Sequence, residues 1–250
     1  MAIEVETSEM EEREPSRLNA LHRTQRSCEK LRVEMGNRES ALKRGADTAE
    51  GEIPAYYARL TATLEEFEQE AEQFMAGELP NYAVYDYWLR HVKGIGPSLS
   101  AQMLSMLLPP IPEKAVSSWY KAAGLVPEVL PNGETHLPRA RAGQGGLSYY
   151  PWLRRSLYNV ATSFVRNGGY YRVAYEREKE RFLLQHGGDW PPYRIDSVAR
   201  WRTVKLFLSH LWDAWCEAEN IPARRKPWII EYGGHSTLIP RPLPDGKGKI

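Results

Sequence analysis

The fold is decided by the stretch Trp88-Leu-Arg-His-Val-Lys-Gly-Ile-Gly-Pro-Ser-Leu-Ser-Ala-Gln-Met-Leu104, which predicts a helix, a glycine turn and a second helix. The first helix has an apolar face at intervals of three and four residues, formed by Tyr85, Trp88, Leu89 and Val92. Gly94 can end this helix because glycine adopts left-handed backbone angles at little cost. Ile95 is expected in the core, and Pro97 suits the first turn of the next helix.

This turn is typical of a helix-hairpin-helix phosphate clamp. Backbone amides near Gly94, Gly96 and Ser98 are expected to be available to a phosphate oxygen at the positive end of the second helix. Lys93 adds a cation beside them. The sequence therefore predicts a contact to a nucleic-acid backbone, and the alternative is an ordinary corner between two helices.

The composition narrows the class of protein. The chain has 250 residues, of which 42% are hydrophobic and 26% are charged, and this is enough for one substantial core or two small ones. It contains no run of about eighteen apolar residues and begins with an acidic rather than a basic and apolar segment, so we expect no membrane association and a cytoplasmic, nucleoid-associated location. Cys28 and Cys216 lie far apart and lack partners at metal-ligand spacing, so neither a metal site nor a disulfide framework is predicted, and no cofactor is expected.

A net charge of +1 conceals a strong asymmetry along the chain. Acidic residues dominate the first fifteen positions, whereas basic residues gather after His136: Arg139, Arg141, Arg154, Arg155, Arg166, Arg172, Arg194, Arg200, Arg202 and Lys205. Arginine is suited to bidentate contact with phosphate. We predict that Arg139, Arg141, Arg154 and Arg155 bind nucleic acid and form one continuous groove with Lys93. The alternative is a solvated helical surface.

The chain is predicted to be mainly α-helical and to have four parts. Residues 1–15 form a disordered acidic tail, 16–78 a coiled-coil-like helical arm, 81–219 a helix-hairpin-helix DNA-binding domain, and 220–250 an extended tail rich in proline and glycine. A glycine-rich loop or small hairpin is expected around Asn132-Gly133. Further helices are expected over 98–108, from Pro151 to the glycines 168–169, over 170–186 and over 195–219.

The arm is expected to be an antiparallel pair of helices with thin apolar seams. The seam of its second helix is predicted to comprise Tyr57, Leu60, Leu64, Phe67, Ala71 and Phe74. Such helices bury little surface alone, so packing on a second copy or on the C-terminal body is expected. The arm therefore predicts a homo-oligomer. The alternative is a simple bundle arm within one monomer.

The order of these parts resembles the C-terminal domain of Piv/MooV-type insertion-sequence transposases and DNA invertases. The resemblance covers roughly residues 61–217. It rests on the arm, the Gly94-Ile-Gly-Pro97 turn, the Ala123-Gly-Leu-Val-Pro127 turn, the glycine- and arginine-rich loop, and the helix containing Leu153-Arg-Arg-Ser-Leu157. It implies a recombinase domain that binds DNA, or a structured RNA or branched junction.

Two departures from that family bear on catalysis. Members of the family begin with a RuvC-like domain whose acidic residues bind divalent metal, and no such segment precedes the arm in this sequence. Members also place a nucleophilic serine just after the Gly-Leu-x-Pro turn, where this chain has Asn132, whose amide cannot form the covalent ester that a hydroxyl makes. Ser148, which matches a later serine of the family loop but is followed by Tyr149, is the remaining candidate nucleophile.

Other chemistry finds no support in residue spacing. His91, His136, His186 and His235 could each be a base, but none belongs to a recognisable Ser–His–Asp or Cys–His grouping, and structural or surface roles are expected. The sequence thus favours a transposase-derived DNA-binding protein of a mobile element, phage or plasmid without autonomous catalysis. Two alternatives stay open: a catalytic or accessory subunit of a split serine recombinase, and an architectural or interaction protein with no nucleic-acid role.

Overall fold

The computed structural model describes residues 16–45, 52–111, 114–129, 133, 135–138, 148–221 and 239–242. Three of the predicted site residues, Asn132, Arg139 and Arg141, lie outside this part of the chain. The predicted acidic tail, residues 1–15, also lies outside it.

The described residues are mainly α-helical, as predicted. The helices are α1 (Arg17–Arg44), α2 (Glu52–Glu78), α3 (Ala83–Tyr87), α4 (Pro97–Leu104), α5 (Ser117–Ala122), α6 (Pro151–Asn167), α7 (Tyr170–His186) and α8 (Pro192–Ala218). Short 3-10 turns cover Leu79–Asn81 and Leu89–His91. The small hairpin expected around Gly133 is present as two antiparallel strands, β1 (Glu128–Val129) and β2 (Thr135–His136), in which Glu128 pairs with His136 and Val129 with Thr135.

The chain divides into two compact units between Met75 and Ala76. In the first unit, the Ser16 hydroxyl accepts a hydrogen bond from the backbone N–H of Asn19 and so caps α1. Arg32 of α1 donates two hydrogen bonds to the carboxylate of Glu68 of α2, at 2.7 and 3.1 Å. Each of these residues lies about midway along its helix, so this bidentate pair links the middle of α1 to the middle of α2.

The seam predicted for α2 is only partly correct. Ala71 is buried, but the side chains of Phe67 and Phe74 are 53% and 58% exposed. The buried positions of the last turns are instead Glu68, Ala71 and Met75. The reason is that Glu68 is turned inward to meet Arg32, and this rotates the neighbouring aromatic side chains toward solvent.

Helix α8 forms the centre of the second unit, where α3, α5, α6 and α7 all contact it. Aromatic rings fill these contacts: Trp88 stacks on Phe207 with ring centroids 6.0 Å apart, and Trp119 meets Trp212 edge-on at 4.8 Å. The core positions predicted for α8 at Leu208, Leu211, Trp212 and Trp215 are buried, whereas Val198, Trp201 and Leu206 are half-buried.

The helix predicted before the glycine turn is interrupted. Helix α3 ends at Tyr87, Trp88 has φ −147°, and a 3-10 turn follows over Leu89–His91. The interruption at Trp88 lets both Trp88 and Leu89 be buried, at 1% and 0% exposure.

Helix α4 also ends earlier than predicted, at Leu104 rather than Leu108. The backbone N–H groups of Met106 and Leu107 both bond to the carbonyl oxygen of Met103, which tightens the chain into a turn. This turn buries Leu107 and leaves Leu108 exposed.

Four residues of the predicted C-terminal tail pack against the core of the second unit. The backbone carbonyl oxygens of Ile239, Pro240 and Pro242 accept hydrogen bonds from His210, Tyr170 and Trp88, respectively. Arg241 forms salt bridges with Asp213 and Glu217 of α8. Residues 239–242 are named the C-terminal strap below.

Candidate nucleic-acid interface

The predicted glycine turn forms and is anchored on α6. Gly94 has φ +92°, and the N–H of Ile95 bonds to the carbonyl oxygen of Val92 at 3.0 Å, the pattern of a turn that requires positive φ at its third residue. The Ser163 hydroxyl donates a hydrogen bond to the carbonyl oxygen of Gly94 at 2.5 Å. Ile95 is buried as predicted, so the turn is held from both sides.

The start of α4 is open toward solvent. Gly96 is the N-cap residue, its own carbonyl oxygen accepts from Ser100, and no side chain of the described residues caps the first turn. A Cβ atom placed on Gly96 would meet nothing within 4 Å, which leaves room for a ligand oxygen. Ser98 is half-exposed one position after Pro97. Backbone N–H groups at such a helix start attract anions.

Lys93 is exposed and lies across the turn between α6 and α7. Its Cδ atom is 3.2 Å from where a Cβ of Gly169 would be, and its Nζ is 3.9 Å from the same position on Gly168. Gly168 and Gly169 have φ +74° and +90°, a conformation that excludes most other residues. Among the described residues, no carboxylate forms a salt bridge with Lys93. The ammonium therefore adds an uncompensated charge near the start of α7.

A second cluster, the Gly124 corner, brings together Gly124, Ser148, Tyr149, Arg154 and Trp201. Gly124 has φ +65°, and a Cβ there would lie 2.7 Å from Cγ of Tyr149, so only glycine fits beneath this ring. The N–H of Tyr150 bonds to the carbonyl oxygen of Ala122 at 2.8 Å. The Gly124 turn thus contacts the segment that contains Ser148.

Arg154 is positioned at this corner by rings rather than by a carboxylate. Its guanidinium lies 5.0 Å from the ring centroid of Tyr149 and 5.7 Å from that of Trp201, and it donates a hydrogen bond to the carbonyl oxygen of Pro138 at 2.5 Å. No described acidic side chain neutralises it. Arg155 is exposed and lies 5.3 Å above the ring of Trp152.

Ser148 is exposed. No histidine, lysine or carboxylate in the described part of the chain forms a hydrogen bond with its hydroxyl. The nearest histidine in sequence, His136, has its Nδ1 3.0 Å from the carbonyl oxygen of Leu137. A serine hydroxyl needs a base or a metal to become a strong nucleophile. The described residues include no group of three or more His, Cys, Asp or Glu side chains that could hold a metal ion.

The structure does not bring Lys93 and Arg154 together, so the expected continuous groove is wrong for this pair. The face of α6 that carries Ser156 and Ser163 receives α4 and the glycine turn, whereas the line of Arg154, Tyr158 and Thr162 faces α8. Arg154 and Ser163 are nine positions apart on α6, which is about 180° around the helix and roughly 14 Å along it. Two separate basic sites result.

The basic residues of α8 were predicted from the sequence only as part of a general basic surface. Their alignment along one side of the helix was not predicted. Lys205 lies with its Nζ 5.6 Å above the ring of Tyr120, and burial, with Arg202 nearby, lowers its pKa. Arg194 lies 4.2 Å above the ring of Trp190. The spacing of Arg194, Trp201 and Lys205, seven and then four residues, was the available signal for one helical line.

The most buried histidine of the second unit is structural. The Nδ1 of His210 is 2.8 Å from the hydroxyl of Tyr171, and its Nε2 is 3.0 Å from the carbonyl oxygen of Ile239. Burial lowers the pKa of His210 to about 4, so the ring is neutral and donates from Nε2 to the strap. Of the histidines considered from the sequence, His91 is exposed, His136 and His186 are half-exposed, and His235 lies outside the described residues.

Comparison with known proteins leaves the family open. No protein-family model matches the chain, and no curated protein matches it either.

Both cysteines are free thiols. None of the helices in the described ranges combines the length and the apolar character needed to span a membrane.

Proposed function

We propose that this chain is a transposase-derived, nucleoid-associated DNA-binding protein that holds the phosphate backbone at the Lys93 turn and has no autonomous catalysis. The observation that carries this proposal is the position of Lys93. Its ammonium is exposed, is not paired with any described carboxylate, and lies beside the Gly168–Gly169 turn at the uncapped start of α7, while the uncapped start of α4 follows Lys93 by three residues. A phosphate oxygen supplies the negative charge that this arrangement lacks.

Binding of this kind is independent of base sequence and strongly dependent on salt. A contact to phosphate releases counterions, so affinity falls steeply as the salt concentration rises. Lys93 is one such contact, and its loss reduces the slope of log affinity against log salt by about one. Gly96 contributes space, because a large side chain there fills the volume that the phosphate needs.

The experiment is a titration of labelled duplex DNA at several salt concentrations with the full chain and three variants. Lys93→Ala and Gly96→Leu are expected to weaken binding by about tenfold near 100 mM salt, and Lys93→Ala also to lower the salt slope. Arg90→Ala is the matched control, because Arg90 is an exposed cation of the same segment but is paired with Asp86 at 2.7 Å. Equal affinities for all four folded proteins would overturn the proposal.

The proposal of no autonomous catalysis comes from the sequence, which has Asn132 where the family that it resembles places a nucleophilic serine. A phosphoryl transfer normally needs a metal-activated oxygen or an activated protein hydroxyl. The proposed role is therefore to bind DNA and position it.

A second candidate function is a subunit of a split serine recombinase, and the Gly124 corner favours it. Ser148 is exposed there beside Arg154, a guanidinium that no described carboxylate neutralises. In this version a partner polypeptide supplies the metal-binding domain. Covalent protein–DNA adducts that form only with the partner present and disappear in Ser148→Ala would establish it, and a partner-dependent reaction that survives Ser148→Ala would exclude it.

The arm favours self-association as a further part of the proposal. Phe67 and Phe74 are seven residues apart on α2 and both are more than half exposed, a spacing that places them on one line of the helix. A second copy of the chain is the proposed occupant of this line. Phe67→Glu is expected to shift the sedimentation of the chain from dimer to monomer, and an unchanged mass would exclude this surface. A dimer that binds neither DNA nor RNA would instead support the architectural function.

A further inference from the structure

One side of α8 carries a line of cations held on aromatic rings. Arg194, Trp201 and Lys205 occupy positions i, i+7 and i+11, which lie within about 40° of one another around the helix. Arg194 rests on Trp190, Trp201 lies under Arg154, and Lys205 rests on Tyr120. The three cations, Arg154, Arg194 and Lys205, are called the α8 stripe.

The stripe cations are positioned by aromatic rings without being neutralised. Several other cations of the second unit are paired with carboxylates, as in Arg172–Glu176, Arg181–Glu178, Arg200–Asp196 and Arg241–Asp213. None of the three stripe cations forms a salt bridge within the described residues. A cation over a ring face keeps its charge and most of its N–H donors available for another ligand.

Lys205 shows most clearly that a cation of the stripe is partly removed from water without a counter-ion. Its side chain is half-buried, and burial and the neighbouring Arg202 lower its pKa. A desolvated ammonium that lacks a counter-ion gains more from an approaching anion than a fully hydrated one does. The stripe is therefore suited to bind negative charge from outside the chain.

An open groove of about 460 Å³ adjoins the stripe between α6, α7 and α8. Its rim includes the rings of Tyr158 and Tyr193, which are 49% and 76% exposed. Tyr158 links groove and stripe, because its ring centroid lies 6.1 Å from that of Trp201.

The polar floor of the groove is already satisfied. Asp196 accepts hydrogen bonds from Tyr175 and Arg200 and lies 3.7 Å from Nζ of Lys179. Burial acts to raise the pKa of Asp196, but the bonds from Tyr175 and Arg200 outweigh it and the pKa is lowered. With its floor ionised and internally paired, the groove offers chiefly exposed ring faces to a ligand.

Uncompensated cations beside exposed aromatic rings match the chemistry of an unpaired nucleic-acid strand. Phosphates meet the cations, and base faces, which are hidden in a duplex, stack on the rings. Arg194 and Lys205 are eleven residues apart, about 16 Å along the helix, which corresponds to roughly five stacked nucleotides at about 3.4 Å each. An acidic peptide would satisfy the cations but would leave the tyrosine rings without partners.

We propose that the α8 stripe binds the phosphates of a single strand while Tyr158 and Tyr193 stack on its bases. The inference rests on the proposed nucleic-acid function but concerns a different surface from the Lys93 turn. The chain would then hold a duplex at the turn and an unpaired strand at α8, the two parts of a branched or flapped substrate.

The test compares a blunt duplex with the same duplex that carries a single-stranded flap of about ten nucleotides, within the range of known single-strand sites. The parent protein is expected to bind the flapped DNA about tenfold more tightly. Arg194→Gln combined with Lys205→Gln should remove most of this gain and leave the affinity for blunt duplex unchanged. The matched control, Arg177→Gln with Arg181→Gln, removes the same charge from α7 and should retain the gain.

The contribution of the rings is separated from that of the phosphates by an abasic flap. Tyr193→Ala and Tyr158→Leu should each weaken binding of the normal flap about fivefold or more and leave binding of the abasic flap unchanged. Equal effects on both flaps would overturn the stacking role. Effective competition by poly-glutamate against the flap would overturn the assignment to nucleic acid in favour of an acidic peptide.

The outcomes distinguish this inference from the proposed function. Binding of blunt duplex without any gain from the flap overturns the inference alone. A gain from the flap that persists while Lys93→Ala leaves duplex binding unchanged overturns the Lys93 turn and supports the stripe. Binding of neither substrate overturns both.

Discussion

Ser163 of α6 donates a hydrogen bond to the carbonyl oxygen of Gly94 at 2.5 Å, so the glycine turn is held by a helix that begins more than fifty residues later in the chain. Asn167 in turn donates to both the hydroxyl and the carbonyl oxygen of Ser163 at 2.9 Å. The position of Lys93 is therefore set by the C-terminal end of α6. Changes in this contact should affect both the stability of the chain and its binding of DNA.

Gly94→Ala is expected to destabilise the chain by about 1–2 kcal/mol, the cost of a left-handed backbone for a residue with a Cβ. The added atom would also lie 3.4 Å from Ser163, which gives it little room. Gly96→Ala is the matched control, because its φ is −92° and its Cβ meets nothing within 4 Å. Urea unfolding measures both, and equal losses of free energy would contradict this account of the turn.

Gly124→Ala is expected to be more harmful than Gly133→Ala. Both glycines have positive φ, at +65° and +81°, but only the Cβ at Gly124 would clash, 2.7 Å from the ring of Tyr149. We expect a difference of about 1–3 kcal/mol between the two variants in the free energy of unfolding, the usual cost of overpacking. Combining Gly124→Ala with Tyr149→Ala should recover part of this difference, and no recovery would show that the ring is not its cause.

His210 is expected to make the chain less stable in acid. Its folded pKa is about 4 and its ordinary value 6.5, so the unfolded chain takes up the proton first. Its contribution is fully present above about pH 6.5, declines as the pH falls toward 4, and is constant below, a total of about 3 kcal/mol. Urea unfolding between pH 4 and 7.5 should show a smaller pH dependence for His210→Gln, and identical dependence in the two proteins would contradict the assignment.

Arg241→Ala is expected to release the C-terminal strap. The variant leaves Asp213 and Glu217 of α8 without the guanidinium that joins them to residues 239–242. We expect a loss of about 1–3 kcal/mol, since a removed charge partner leaves partly buried carboxylates behind. Thermal unfolding and limited proteolysis measure the effect. Arg90→Ala removes an exposed ion pair instead and should be almost neutral, so equal proteolysis rates in the two variants would argue against the strap.

The purified chain is expected not to cut or join DNA. Incubation with labelled duplex and junction substrates in magnesium or manganese tests this directly. The physical reason is that Ser148 has no described base beside it and Asn132 cannot form a phosphoester. Strand cleavage that is lost in Ser148→Ala but retained in Asn132→Ala would establish an active serine enzyme instead.

Local sequence signals predicted the helical elements well, because helix starts and ends depend on nearby residues. Pro97 begins α4, the glycines 168–169 separate α6 from α7, and α7 spans Tyr170–His186 as predicted. The positive φ of Gly94 and the burial of Ile95 also follow from residues within the turn itself. The mainly α-helical class and the small hairpin could both be recognised in this way.

Only tertiary structure decided which charged and aromatic side chains meet. The helix before the turn breaks at Trp88 because its indole packs on Phe207 and bonds to Pro242, residues far away in sequence. Lys93 and Arg154 were both predicted for one groove. The glycine turn that follows Lys93 packs on one face of α6, whereas Arg154 lies on the opposite face. Helical periodicity determines which residues share a face, but the partner that each face meets depends on how distant helices pack. The sequence by itself therefore determined the elements and the glycine turn, and packing around α8 determined the sites.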